Sequence, residues 1–160
     1  MKTENILIKD LTLDPNNARK HSERNIEVIV NSLKEFGQRK PIVINKNNIV
    51  VAGNGTLEAA RALNWKEIYA VRVPDTWTDK QITAYALADN KTAEFAEWDT
   101  SILAEQLSEI SDFFDIQTFG FNPLTQEAEE TPEDFKDFSD ELKTAYQCPK
   151  CSYEWNGAPK

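Results

Sequence analysis

The segment Gly53-Asn54-Gly55-Thr56 is the part of the sequence best suited to bind an anion. It lies between a predicted strand at 48–52 and a predicted helix at about 56–63. Two glycines allow the backbone to approach a ligand closely and to adopt positive φ. The start of the helix offers N–H groups and the positive end of its dipole. The same pattern also occurs in ordinary tight turns, and it lacks the further residues of a P-loop or a dinucleotide fingerprint. Phosphate binding and a tight turn therefore both remain open.

A second group with chemical potential is Cys148-Pro149-Lys150-Cys151. A Cys-x-x-Cys pair on a tight turn suits zinc, but a structural zinc site normally has four ligands. The 160 residues contain only these two cysteines and one histidine, His21. Either two chains share one zinc ion as a homodimer, or another protein completes the site, or no metal binds. A redox function is disfavoured because no thioredoxin-like βαβ pattern surrounds the pair.

Periodic apolar patterns predict the elements that must position these groups. A strand at 5–13 and a turn at 14–17 precede a helix that begins after Ser22 and ends at Gly37. The tryptophans at 65, 77 and 98 are expected to be core or packing residues rather than stacking platforms for a ligand. The remaining predicted elements are strands at 41–44, 48–52 and 68–73, and helices at about 56–63, 78–88, around 94–95, and from 99 or 100 to 114.

Charge is divided unevenly along the chain. Residues 1–100 contain 14 basic and 14 acidic residues, whereas residues 101–160 contain 4 and 13, so the net charge of −9 lies in the second part. A chain this acidic is a poor candidate for tight nonspecific DNA binding, which depends on phosphate neutralisation. No apolar run reaches the roughly 18–20 residues that span a bilayer, and the N-terminus does not resemble a signal peptide. We therefore expect a cytoplasmic protein without a membrane partner.

Composition predicts three segments. Residues 1–120 carry the predicted strands and helices. Residues 121–134 are acidic, contain two prolines and have little apolar content, which is typical of a linker. Residues 135–160 form a tail too short to build a core, and this tail carries the Cys-x-x-Cys pair.

Four sequence boxes occur in an order that resembles the ParB N-terminal, or ParB/sulfiredoxin, superfamily, and the resemblance covers about residues 5–99. It implies a compact α+β fold with a small mixed sheet and flanking helices, followed here by a short Cys-x-x-Cys knuckle. The boxes are a Pro/Asn/Arg turn, a Gly-x-x-x-Pro-aliphatic segment, a strand leading into a glycine-rich helix start, and an Asp-Asn pair at a helix end: Leu13–Lys20, Gly37–Ile44, Val51–Ala60 and Ala88–Lys91.

The resemblance also implies nucleotide chemistry, with ATP or CTP as ligand and Mg²⁺ as cofactor. The turn at 37–41 would border the base or ribose, the segment at 53–56 would hold the phosphates, and Asp89 with Asn90 would lie near the triphosphate or its Mg²⁺. Arg19 is a further candidate because arginine matches phosphate geometry. The implied nucleotide-binding residues are Arg19, Gly37, Gln38, Arg39, Lys40, Pro41, Gly53, Asn54, Gly55, Thr56 and Asn90.

Two acidic residues are candidates for catalysis. In kinase members of the superfamily, a carboxylate near the first box can act as general base on a hydroxyl substrate, which here points to Glu23, assisted by His21. Asp89 is the second candidate, as a catalytic residue and as a metal ligand. The alternative for Glu23 is that Ser22 caps the helix while Glu23 complements its dipole. The alternative for Asp89 is an ordinary surface carboxylate at a helix end.

The sequence departs from the superfamily pattern in three places. Gly55 and Thr56 replace the paired arginines of the partition-type box, which removes two phosphate contacts and argues against partition-style CTP gating. The active cysteine of the sulfiredoxin type is absent from the same box, so sulfinic acid reduction is not expected. Residues beyond 100 show no helix-turn-helix pattern of the partition type.

These observations favour a nucleotide-binding ParB-like protein that acts as a Mg²⁺-dependent NTPase or phosphotransferase linked to DNA metabolism. The alternative is a non-catalytic nucleotide-sensing or DNA-associated adaptor module, with DNA or a DNA-processing protein as partner. A ParB-type nuclease is a weaker alternative, because the sequence shows no dense cluster of carboxylates. Compact ParB-like chains with a C-terminal Cys-Pro-Lys-Cys resemble phage or prophage products.

Overall fold

The computed structural model describes residues 2–122 and 146–155. The chain divides into two compact units, Met1–Thr125 and Gln126–Lys160. The elements of the first unit, in chain order, are β1 (Thr3–Leu7), a 3₁₀ helix (Ile8–Asp10), β2 (Thr12–Leu13), α1 (Glu23–Phe36), β3 (Ile42–Ile44), β4 (Ile49–Ala52), α2 (Asn54–Ala62), β5 (Glu67–Arg72), α3 (Asp79–Glu94), α4 (Thr100–Ile110) and a second 3₁₀ helix (Ile116–Phe119).

The first unit is built on a five-stranded mixed sheet with the strand order β1-β5-β3-β4-β2. β1 pairs with β5 and β3 with β4 in antiparallel fashion, whereas β3 with β5 and β2 with β4 are parallel. Helices α1 and α2 pack against each other. Apolar side chains from the sheet and from α2 form the core, and they include Ile42, Ile44, Val50, Leu57, Ala60 and Ile68. The predicted α+β class with a small mixed sheet is confirmed.

Local signals place the ends of the main helices correctly. The hydroxyl of Ser22 caps α1 by accepting a hydrogen bond from the N–H of Asn25, and α1 ends at Gly37 with φ +66°. Thr78 caps α3 within a capping box completed by Gln81. The carboxylate of Asp99 caps α4 by accepting from two backbone N–H groups. Each cap satisfies N–H groups that have no partner inside the helix, so these boundaries follow from short-range chemistry.

Two predictions about the elements were wrong. The strand at 5–13 is interrupted by the 3₁₀ helix, in which the side chain of Ile8 is buried and the N–H of Leu11 donates to the carbonyl of Ile8. The helix at 78–88 and the helical segment around 94–95 are one continuous helix, α3. Trp98 packs with its ring against Phe121 but is not a core residue, since 69% of it is exposed.

The second unit contains a two-stranded antiparallel hairpin of β6 (Tyr146–Gln147) and β7 (Glu154–Trp155). The Cys-x-x-Cys pair lies in the loop between its strands. Most of the acidic linker predicted at 121–134 lies outside the described residues, and the three-segment division stays a prediction. No helix in the described part of the chain is long and apolar enough to cross a membrane.

Candidate anion-binding site

A cavity of about 200 Å³ lies where the N-terminus of α2 faces the loop before α1. Its lining is polar at most positions and contains one arginine and one histidine but no carboxylate. An opening with this lining favours an anionic ligand, because no fixed negative charge repels it. The lining residues are Asn17, Arg19, His21, Asn25, Ile29, Val51, Ala52, Gly53, Asn54, Gly55, Thr56 and Asn90.

The start of α2 supplies backbone N–H groups to this cavity. Gly53 occupies the N-cap position with φ +94° and no side chain caps the helix there. The N–H groups of the first helical turn have no acceptor within the helix. A Cβ at Gly53 would lie 2.7 Å from Cγ2 of Ile42, which is buried in the sheet. Only glycine therefore combines this backbone conformation with this close packing, which leaves the helix N-terminus open to a ligand.

Gly55 allows α1 to approach α2 closely. A Cβ at Gly55 would lie 2.9 Å from Cε1 of His21 and 3.0 Å from Cδ1 of Ile29. His21 therefore occupies the space into which a larger side chain at position 55 would extend. Nδ1 of His21 in turn lies 2.7 Å from Oδ1 of Asn25, so the ring is held at the edge of the cavity.

Asn54 holds the site together from inside. It is buried, its side-chain oxygen accepts the N–H of Asp14 at 3.1 Å, and its amide donates to the carbonyl of Val50 at 3.4 Å. These bonds tie the turn that begins at Asp14 to the start of α2. The sequence predicts Asn54 as a nucleotide-binding residue, but its side chain is already committed to the protein, which leaves its backbone N–H as the group that can contact a ligand.

Replacing Asn54 with alanine is expected to lower the free energy of unfolding by about 1–3 kcal/mol, because the part-buried N–H of Asp14 loses its acceptor. Equilibrium urea unfolding measures this loss. Asn16→Ala is the matched control, since Asn16 is an exposed asparagine in the same turn. Equal stability of the two variants would show that the bond to Asp14 does not hold the turn.

Arg19 reaches the cavity from the loop before α1. The side chain of Asn17 fixes its backbone in both directions, by accepting the N–H of Arg19 at 3.2 Å and donating to its carbonyl at 2.9 Å. Nη1 of Arg19 donates to Oδ1 of Asn90 at 3.2 Å. The guanidinium is otherwise exposed, so it has N–H groups available for an anion.

The Asp89-Asn90 pair lies within α3 and not at a helix end. Asn90 lines the cavity and its amide donates to the carbonyl of Ala86 at 2.9 Å. Asp89 does not line the cavity. Burial raises the pKa of the Tyr85 phenol above its ordinary value, and the carboxylate of Asp89 raises that pKa further. The structure therefore brings Asn90 to the candidate site, while the metal-binding and catalytic roles of Asp89 stay predictions.

Glu23 and the turn at 37–41 lie away from this lining. Glu23 is exposed in the first turn of α1, where it complements the helix dipole. Gln38 hydrogen-bonds the backbone of Tyr69, and Arg39 donates to the carbonyl of Phe36 at 2.6 Å. Lys40 and Pro41 line a separate, mainly apolar cavity of about 590 Å³. Gly37 serves as the C-cap of α1. The structure thus does not bring these residues together with the segment at 53–56.

Five lining residues are not among the site residues that the sequence predicts: Asn17, Asn25, Ile29, Val51 and Ala52. Asn25 and Ile29 lie four residues apart, which places them on one face of α1, and His21 lies a further four residues before Asn25, just ahead of the helix. This spacing is a signal that the sequence contains.

The Cys-x-x-Cys loop forms a second candidate site in the second unit. Both cysteines are free thiols. The Sγ of Cys148 accepts hydrogen bonds from the backbone N–H groups of Lys150 and Cys151 and from the thiol of Cys151, and these bonds lower the pKa of Cys148. The described residues contain no group of three or more His, Cys, Asp or Glu side chains that could hold a metal ion.

Comparison with known proteins identifies the family to which this chain belongs. The family model of the ParB N-terminal domain matches residues 1–91, more than half of the chain. The chain therefore belongs to the ParB N-terminal domain family.

Two curated proteins are similar in sequence to part of this chain. The chain is 31% identical over 74 residues to the ParB-like nuclease domain-containing protein YnaK of Escherichia coli K12, a match that covers 46% of this chain and 84% of the relative. It is 38% identical over 69 residues to a probable chromosome-partitioning protein ParB of Campylobacter jejuni, covering 41% of this chain and 25% of the relative. The chain thus matches about a quarter of the length of that partitioning protein.

A solved structure confirms the ParB/sulfiredoxin-like fold. It is the C-terminally truncated chromosome-partitioning protein ParB of Caulobacter crescentus in complex with CTP-γ-S. The TM-score is 0.61 at 18% identity, over 74% of this chain and 71% of that one. At this identity, the similarity establishes the fold alone.

Proposed function

We propose that this chain binds a nucleoside triphosphate with Mg²⁺, and that the phosphates occupy the cavity at the N-terminus of α2. One observation carries the proposal: the cavity joins an uncapped helix N-terminus to the guanidinium of Arg19 and contains no carboxylate in its lining. Helix N-termini and arginine are the groups that proteins use for phosphate. The cavity volume of about 200 Å³ is below the range of roughly 300–1,000 Å³ for sites that enclose a whole ligand. The cavity therefore suits the phosphates, with the nucleoside outside it.

Family membership supports the choice of a nucleotide over other anions. The Caulobacter crescentus ParB was solved with CTP-γ-S. CTP is accordingly the first ligand to test, and ATP the second.

Binding without turnover is the function that the geometry favours. Glu23 and Asp89, the carboxylates that the sequence offers as catalytic, are not among the residues that line the cavity. A general base must lie within hydrogen-bonding reach of the proton it removes. We therefore place a nucleotide-sensing module of DNA metabolism ahead of an NTPase or phosphotransferase, and a nuclease, a label that the Escherichia coli relative carries in its name, after both.

Thermal unfolding with CTP, ATP, GTP, CMP and inorganic phosphate, each with and without Mg²⁺, tests the proposal. A ligand that binds only the folded state stabilises it by about 2.7 kcal/mol at 100 times its Kd. We expect a triphosphate with Mg²⁺ to raise the Tm by several degrees and inorganic phosphate to raise it less, since it makes fewer contacts. If every nucleotide leaves the Tm unchanged, the proposal fails.

Two further measurements test whether the nucleotide is hydrolysed and whether Asp89 contributes to Mg²⁺ binding. Phosphate release from labelled CTP and ATP, with and without DNA, separates an NTPase from a sensing module. Asp89→Asn, which keeps the shape of the side chain, is expected to weaken the Mg²⁺ dependence of binding if Asp89 lies near the metal ion. An unchanged Mg²⁺ dependence would identify Asp89 as a surface residue of α3.

A further inference from the structure

The loop between β6 and β7 holds its two cysteines in a defined turn. The N–H of Cys148 donates to the carbonyl of Tyr153 at 2.8 Å, and the N–H of Ser152 donates to the carbonyl of Cys148 at 2.9 Å. Ser152 adopts φ +59°, a left-handed conformation that reverses the chain directly after Cys151. These features close the hairpin around the Cys-x-x-Cys pair.

The two sulfur atoms lie in hydrogen-bonding contact, because the thiol of Cys151 donates to Sγ of Cys148. In a tetrahedral zinc site with Zn–S bonds of about 2.3 Å, two ligand sulfurs lie about 3.8 Å apart. Two thiols in contact within one turn are therefore placed to act as ligands of one ion.

The loop also directs two backbone amides at one of the sulfur atoms. The N–H groups of Lys150 and Cys151 both point to Sγ of Cys148. Together with the backbone bonds that close the loop, these contacts give this turn a fixed geometry that an arbitrary turn containing two cysteines lacks.

We propose that Cys148 and Cys151 form half of a zinc site, which the same two cysteines of a second copy of this chain complete. Structural zinc takes four ligands, and the 160 residues contain two cysteines and one histidine. That histidine, His21, belongs to the first unit, where it lies against Gly55 and Asn25. Two identical knuckles related by a two-fold axis provide four thiolates, and two-fold symmetry is the commonest arrangement of soluble oligomers.

Metal content and oligomeric state of the full chain, purified without chelators, test this proposal. Elemental analysis is expected to give about one zinc per two chains, the ratio of a shared four-sulfur site. Light scattering is expected to show a dimer that dissociates when a chelator removes the zinc. Replacement of zinc by Co²⁺ provides a spectroscopic readout, since the sulfur-to-cobalt charge-transfer bands report the number of thiolate ligands.

Variants assign the result to the knuckle. Cys148→Ser and Cys151→Ser are each expected to lose both the zinc and the metal-dependent dimer. Lys150→Ala is the matched control, because Lys150 acts through its backbone N–H, which alanine retains. Three results would overturn the proposal: metal-free protein, one zinc ion in each monomer, or an unchanged zinc content in both serine variants.

Discussion

Gly53→Ala is expected to lower the free energy of unfolding by about 2–5 kcal/mol. Two costs add: a non-glycine residue in the left-handed region costs about 1–2 kcal/mol, and overfilling a packed core costs about 1–3 kcal/mol. The second cost arises because the new Cβ would lie 2.7 Å from Cγ2 of Ile42, a side chain only 2% exposed that has no room to move away. Equilibrium urea unfolding of parent and variant measures the loss.

Gly120→Ala is the matched control for this prediction. Gly120 has φ +91°, close to the +94° of Gly53, but its added Cβ would lie 3.3 Å from the nearest atom, Cγ2 of Val28. Gly120→Ala therefore has the same unfavourable backbone conformation but a much smaller steric clash. Its free energy of unfolding is expected to fall by about 1–2 kcal/mol. If the two variants lose the same free energy, the contact with Ile42 does not dictate glycine at the start of α2.

Short-range chemistry explains why much of the fold was predictable. The hydroxyl of Ser22, the left-handed Gly37 and the capping box at Thr78 act within three or four residues of the helix ends that they fix. The short, continuous apolar runs of β3 and β4 are likewise a local signal, typical of buried strands. Elements defined in this way can be located from the sequence alone.

The parts of the fold that the sequence did not specify depend on partners that are distant along the chain. Ile8 interrupts the predicted strand where its buried side chain joins a core cluster that includes Leu33 and Ile68. For Trp98 the sequence did not distinguish a core position from a packing position, and the part of the chain that the structure describes offers it Phe121 as a ring contact and leaves 69% of it exposed. Hydrophobicity and periodicity do not specify such partners.

The candidate site was predictable in outline and not in detail. Gly53, Gly55 and Thr56 line the cavity as their strand–glycine–helix context predicts. The sequence predicts Asn54 as a ligand-binding residue, but its side chain accepts a hydrogen bond from the N–H of Asp14, 40 residues away. The sequence does not distinguish an asparagine whose amide is buried from one whose amide binds a ligand, because the difference lies in tertiary contacts.

The structure also shows which side chains lie near the position where the superfamily pattern has paired arginines. The imidazole of His21 lies against Gly55, in the space that a side chain at position 55 would enter. Arg19 reaches the same cavity from the preceding loop. The arginine and the histidine of the lining therefore both come from the segment before α1 and not from α2. This exchange makes Arg19 the residue on which the affinity for phosphate is expected to depend most.

Arg19→Ala is expected to weaken binding of the triphosphate by roughly 10- to 150-fold, because a hydrogen bond to a charged group contributes about 1.5–3 kcal/mol. The Kd of Arg19→Lys should lie between those of Arg19→Ala and the parent. Lysine keeps the positive charge but cannot make the two parallel hydrogen bonds that a guanidinium makes to phosphate. Isothermal titration calorimetry gives the Kd, and urea unfolding should show little change because Arg19 is exposed.

Arg24→Ala separates a specific contact at Arg19 from a general effect of charge. Arg24 is also exposed and lies close in sequence, but its guanidinium pairs with Glu27 at 3.2 Å and donates to the carbonyl of Gln117, and it does not line the cavity. Both variants remove one positive charge, so long-range attraction weakens similarly in each. A loss confined to Arg19→Ala assigns the phosphates to the cavity at α2. Equal losses in the two variants, or no loss in either, would remove Arg19 from the site and would require the nucleotide to bind elsewhere.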